Sequence, residues 1–151
     1  MKKHIRIIIS VFLLSLLTAC SGTGSKLKPT VSNNSSGATN LYFVRSSGFV
    51  AGGILSKIEV NGQEIAKLGV KEYVKHQTSS NFKIKISGSG ISGMTMGGDS
   101  ASGVADGKNY FYIISVKQGL FSAKFTIQET TETGYNQALW DLKKWKNFYQ
   151  L

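Results

Sequence analysis

Two runs of alternating side chains that face each other across Asn61-Gly62 constrain this chain more than any other feature. Ile54, Ser56, Ile58 and Val60 alternate with Leu55, Lys57 and Glu59, and Gln63-Glu64-Ile65-Ala66 leads away from the Asn-Gly pair. Successive side chains of a strand point to opposite faces, and Asn-Gly accepts the positive φ of a two-residue type I′ turn, so the stretch reads as a β-hairpin. A two-residue loop sets Val60 opposite Gln63, Glu59 opposite Glu64 and Ile58 opposite Ile65. The isoleucines are expected on the inner face and the two glutamates side by side on the outer one.

The same period recurs along the chain. Leu41 to Arg45 is a short β-rich run before a Gly-rich turn region at 47–53. Glu72-Tyr73-Val74 is a candidate short strand, and Phe82, Ile84 and Ile86 alternate with Lys83 and Lys85. Tyr110 to Val116 is apolar on both faces, as a strand inside its sheet must be. After a turn at Lys117-Gln118-Gly119, Phe121, Ala123, Phe125 and Ile127 alternate with Ser122, Lys124, Thr126 and Gln128. From Thr133 the period becomes helical, with Tyr135, Ala138, Leu139, Leu142, Trp145 and Tyr149 on one stripe. That stripe suits a helix packed on a sheet, and a helix lying in a membrane interface is the alternative. The expected fold class is all-β, a small β-sandwich of about six or seven mainly antiparallel strands with a C-terminal α-helix.

The front of the chain carries a different kind of signal. Lys2, Lys3 and Arg6 precede an eleven-residue apolar run, Ile7 to Leu17, which ends in Leu17-Thr18-Ala19-Cys20. A transmembrane helix needs about 20 apolar residues, so the run reads as a secretory signal rather than a span. Leu-Thr-Ala-Cys resembles the bacterial lipoprotein box, and the resemblance implies cleavage before Cys20 and acylation of its sulfur and amine. It also implies that Ser21 directs sorting to the outer membrane, facing the periplasm. Residues 1–19 are then a lipoprotein signal peptide, 20–39 a lipidated tether and 40–151 the β-sandwich with its helix. The tether holds almost nothing to bury, and as a random coil it would span about 25 Å, enough to lift the domain clear of the headgroups.

Composition narrows what such a domain does. The formal charge is +10, and the loss of residues 1–19 would leave fifteen basic residues against eight acidic ones. Sixteen of the eighteen basic residues are lysines, and those of the strand-like stretches are scattered singly. That pattern keeps sheet edges soluble and argues against a nucleic-acid partner, while leaving anionic envelope polymers or headgroups as counterparts. Cys20 is the only cysteine, so no internal disulfide supports the domain and its core must do so.

Leu41 to Arg45, Val60-Asn61-Gly62-Gln63, Ala66-Lys67-Leu68, Tyr73, Tyr110-Phe111-Tyr112 and a last strand running into a helix together resemble the bacterial family called domain of unknown function 2846, over roughly residues 40–143. The resemblance implies a small lipoprotein β-domain with no established activity and no family catalytic residues.

Candidate chemistry is sparse. Gly88-Ser89-Gly90-Ile91-Ser92-Gly93 fits a dinucleotide fingerprint, but no helical segment follows to receive a pyrophosphate, so residues 87–108 read as an inter-strand loop. His76 is the only histidine beyond the signal, too few for a histidine zinc site, and it reads as a surface loop residue. Glu59 and Glu64 are a carboxylate pair close enough for glycosidase-type chemistry, but a convex hairpin tip offers no cleft, and Lys57 and Lys67 stand ready to neutralise them. Arg45 is the one arginine after the signal, either an anchor for a carboxylate or phosphate or a strand end that satisfies carbonyls. The expectation is an envelope lipoprotein lipidated at Cys20, not an enzyme, with no metal or cofactor. Its domain binds a protein partner or an anionic envelope polymer, with Arg45, Glu59 and Glu64 as contact candidates. An accessory structural subunit of a membrane assembly and a periplasmic hydrolase are the alternatives.

Overall fold

The computed structural model describes residues 22–24, 37–46, 53–90, 96–118 and 123–139. Among them run β1 (Thr39–Arg45), β2 (Ile54–Val60), β3 (Gln63–Leu68), β4 (Tyr73–Thr78), β5 (Phe82–Gly90), β6 (Ser100–Gly103), β7 (Asn109–Gln118) and β8 (Ala123–Thr130), followed by a helix, α1, over 132–139. The strands form two four-stranded sheets, in the orders β4-β1-β7-β8 and β3-β2-β5-β6. Every pairing between these strands is antiparallel except β1 with β7. The molecule is thus an all-β sandwich with one helix added outside.

The core between the sheets is built from the alternations. Leu41, Phe43, Ile58, Val60, Ala66, Leu68, Phe82, Ile84, Ile86, Tyr112, Ile114 and Phe125 form one buried cluster. The β4-β1-β7-β8 sheet is apolar on its other face too, where Tyr42, Val44 and Phe111 meet Tyr135 and Leu139 of α1. Tyr42 stacks on Phe111 with centroids 5.0 Å apart, and Tyr135 meets both rings at 6.0 and 5.4 Å. This is why β7 reads as apolar on both faces and why β1 is buried along its whole length: each lies inside its sheet with the second sheet on one side and α1 on the other. Thr131 caps the helix, its Oγ1 accepting from the Gly134 amide at 3.2 Å. Of the expected helical stripe, Tyr135, Ala138 and Leu139 pack on the sheet, while Leu142, Trp145 and Tyr149 lie outside the described residues.

The Asn61-Gly62 turn is present, both residues at positive φ (52° and 81°), and Glu59 does stand opposite Glu64. The expected pairing of Ile58 with Ile65 is corrected. A bulge between Ile58 and Glu59 leaves Ile65 as an extra residue, so Ile58 pairs with Ala66, Lys57 with Lys67 and Ser56 with Leu68. Side chains alternate with period two, so an unbroken ladder that put Ile65 inside would also put Lys67 inside and Leu68 in solvent. One inserted residue reverses this, and Ala66 and Leu68 are buried.

The segment 87–108 is corrected as well. β5 continues to Gly90, β6 occupies part of the presumed loop, and the Gly88-Ser89-Gly90 start of the fingerprint is strand. Gly97 and its neighbours cross from one sheet to the other: Gly88 N donates to Met96 O at 3.0 Å, Ile86 N to Asp99 O at 2.9 Å, and Phe125 N of β8 to Gly97 O at 2.9 Å. A Cβ at Gly98 would collide with the Ile86 carbonyl, so backbone replaces side chains along this edge of the sandwich. Residues 91–95 lie outside the described ones.

Candidate functional site

The inward alternation of β1 carries Leu41 and Phe43 into the core and then Arg45, which is 2% exposed. Its Nη1 donates to Ile54 O at 2.5 Å and to Leu68 O at 2.9 Å, and the guanidinium lies 5.0 Å from the centroid of the Phe125 ring. These contacts join the end of β1 in one sheet to the start of β2 and the end of β3 in the other. Both carbonyls are served by the two N–H groups of Nη1, which the rigid guanidinium plane holds in place while its face lies against Phe125. Burial lowers the Arg45 pKa to about 10, against the opposing pull of the Glu72 charge, so the group stays cationic at neutral pH. The Nη1 group is committed to the two carbonyls, and the side chain is buried from solvent.

Glu72 is itself buried, its Oε2 accepting from Gly69 N at 2.9 Å, and its carbonyl accepts from Arg45 N at 2.9 Å. Over it lies the segment Gly22-Thr23-Gly24. Thr23 N donates to Lys67 O at 2.7 Å, and Lys67 N returns a bond to Thr23 Oγ1 at 2.8 Å, so the segment occupies the outer edge of β3. A Cβ on Gly22 would collide with Glu72 Oε2, and one on Gly24 with Leu68 Cδ2. The small residues that mark a free tether in the sequence are, at these positions, the condition for close packing. Cys20, the lipidation candidate, lies outside the described residues, separated from Gly22 by Ser21 alone.

Glu59 and Glu64 sit on the outer face of the β3-β2-β5-β6 sheet. Each has its own lysine: Lys57 Nζ lies 3.1 Å from Glu59 Oε1 and Lys67 Nζ 3.5 Å from Glu64 Oε1. Lys85 is the cross-strand neighbour of Glu59 on β5, and Lys83 follows at the same face beside the turn. Glu59, Asn61, Gly62, Lys83 and Lys85 line an open depression, so this end of the hairpin is not convex throughout as the sequence suggested. The depression brings one carboxylate together with two lysines. It does not enclose the glutamate pair.

His76 is on β4, opposite Leu41 of β1, rather than in a loop. Partial burial lowers its pKa below the ordinary 6.5. It makes no hydrogen bond to a serine or carboxylate among the described residues, and no group of three His, Cys, Asp or Glu side chains gathers there to hold a metal. Glu72 and Thr23 are the residues that reading the sequence missed. Neither carries a local pattern, because their partners are distant in the chain.

No family model matches the chain, nor does any curated protein. Among solved structures, an NMR structure of a protein from Eubacterium rectale aligns with 65% of this chain and 93% of its own length at 16% identity, with a TM-score of 0.38. A likeness so slight carries no argument about the site.

Proposed function

We propose that the protein is a bacterial envelope lipoprotein, anchored through acylated Cys20 in the outer membrane and facing the periplasm, whose β-sandwich is a non-enzymatic binding module. The observation that carries this reading is Leu17-Thr18-Ala19-Cys20 at the end of an eleven-residue apolar run. Several acyl chains on one residue make a lasting anchor, where a single chain binds only reversibly. Membership of the family called domain of unknown function 2846 belongs to the same proposal and rests on the residues quoted for it.

What supports binding rather than reaction is the use to which the polar groups are put. Arg45 holds two backbone carbonyls, and Glu59 and Glu64 are each neutralised by a lysine. The exposed polar surface is a lysine-bearing sheet face, suited to an anionic counterpart or to a protein partner with an acidic surface. Metabolic labelling with a fatty acid tests the anchor: the protein is expected to incorporate label and to stay with membranes through a high-salt wash, and Cys20→Ala to do neither. Membrane attachment of unlabelled Cys20→Ala at the wild-type level would overturn the reading. Crosslinking in intact cells tests the binding, with one recurrent protein or glycan neighbour as the expected outcome.

A further inference from the structure

We infer that the outer face of the β3-β2-β5-β6 sheet, carrying Lys57, Lys67, Lys83 and Lys85, lies flat against the anionic lipid headgroups of the membrane that holds Cys20. The inference rests on the anchoring reading and specifies how the anchored domain sits. Thr23 is hydrogen-bonded to Lys67, and Cys20 is three residues earlier. An extended chain covers at most about 3.6 Å per residue, so Cys20 stays within about 11 Å of Thr23. An acylated Cys20 sits at the headgroups, and the β3 edge is therefore held close to them. The free span of a long tether does not apply to a segment bonded to the domain at its third residue past the anchor.

Charge selects which face turns down. Beside β3 the outer face of this sheet presents Lys67 and Lys57 as one cross-strand pair, with Lys85 opposite Glu59 and Lys83 beyond it. Against these four lysines stand Glu59 and Glu64, so the face is net positive. Among the described residues neither Lys83 nor Lys85 has an ion-pair partner. Around the lysines on the same face are Ser87 and Ser89 of β5, Ser100 and Ser102 of β6 and the half-buried Leu55 of β2, and the short serine side chains let a plane of phosphates approach. The opposite sheet has its outer face covered by α1. Among the described residues Val104 is the only large hydrophobic side chain that is strongly exposed, which fits adsorption on headgroups rather than insertion. Attraction of this kind acts over about 8 Å at physiological ionic strength, and the strap keeps the β3 edge of the face near that range.

The test uses the full mature, acylated protein in vesicles of phosphatidylcholine alone and of phosphatidylcholine mixed with phosphatidylglycerol. A membrane-impermeant amine reagent labels exposed lysines, read by peptide mass spectrometry, with Lys117 and Lys124 of the opposite sheet as internal references. Protection of Lys57, Lys67, Lys83 and Lys85 on the anionic vesicles alone, reversed by high salt, is the expected result. K83E/K85E should lower the protection of Lys57 and Lys67 by at least about 25-fold, about five-fold for each lysine charge removed, with an unchanged circular dichroism spectrum. Equal labelling of the four lysines on both vesicles overturns the inference. So does protection by a soluble polyphosphate but not by anionic vesicles, which would assign the face to an envelope polymer. Protein that fails to sediment with phosphatidylcholine vesicles lacks the anchor, which overturns the anchoring reading and with it this inference. That outcome is read from sedimentation and is separate from the lysine pattern.

Discussion

Arg45 is a charged residue used as a core residue. Its guanidinium bridges two sheets through carbonyls of Ile54 and Leu68, and the charge of Glu72 faces it from beneath the strap. Replacing it by leucine leaves two buried carbonyls without that donor and Glu72 without the opposing charge, so Arg45→Leu is expected to cost about 3–5 kcal/mol. Arg45→Lys restores charge but not the planar fork and should fall between the two, as urea unfolding midpoints would show. A wild-type midpoint for Arg45→Leu would refute the structural role. His76 is the second residue with a definite consequence. Burial lowers its folded-state pKa below 6.5, so the unfolded chain binds the proton first as the pH falls. Stability is therefore full above pH 6.5 and declines as the pH drops from there through the lowered folded-state value. His76→Gln should remove this contribution, visible as a shallower acid decline in Tm than the wild type shows.

At the scale of elements, the bulge in β3 and the strap on its edge decide what the hairpin presents. Deleting Ile65, the spare residue, joins Glu64 directly to Ala66 and leaves an unbroken ladder with Ala66 and Leu68 still inward, so the variant is expected to melt cooperatively, whereas deleting Ala66 in place of Ile65 puts the isoleucine opposite Ile58 and lowers Tm by less than deleting Leu68 does. Gly22→Val should push the strap off Glu72 and Leu68 while leaving the sandwich folded. Faster amide exchange at Lys67 is the measurement, since its N–H is bonded to Thr23 Oγ1. Most of the elements could be read in the sequence. β2, the turn, β5 and β7 follow from alternation and from one Asn-Gly pair, and the start of α1 from its change of period. β6 could not be read, because Ser100 to Gly103 has no apolar alternation and becomes a strand only by pairing with β5. The crossing at Gly97 was hidden for the same reason: glycines mark close approach as well as flexibility, and only the neighbour tells which.

For the whole molecule, the two sheets are treated unequally. One has α1 on its outer face, and the other leaves a lysine face open beside the edge of β3 on which Gly22 to Gly24 lie. A soluble Cys20→Ala form should bind phosphatidylglycerol vesicles weakly and lose that binding as salt is raised, whereas the acylated form should sediment at every salt concentration. Salt-independent sedimentation of the soluble form would show that something other than charge holds it.

By itself the sequence determined the hairpin, the apolar strands and the cysteine box, because each is a pattern of neighbouring residues whose physics is local: period two, a turn that needs positive φ, an apolar run of a certain length. Only the tertiary structure decided that Arg45 faces inward onto carbonyls, that Ile65 is spare, and that Gly22 to Gly24 lie on β3 rather than hang free. Those outcomes depend on contacts between residues that are distant in the chain, where close packing and the need to pair every buried polar group select one arrangement among several that local pattern allows.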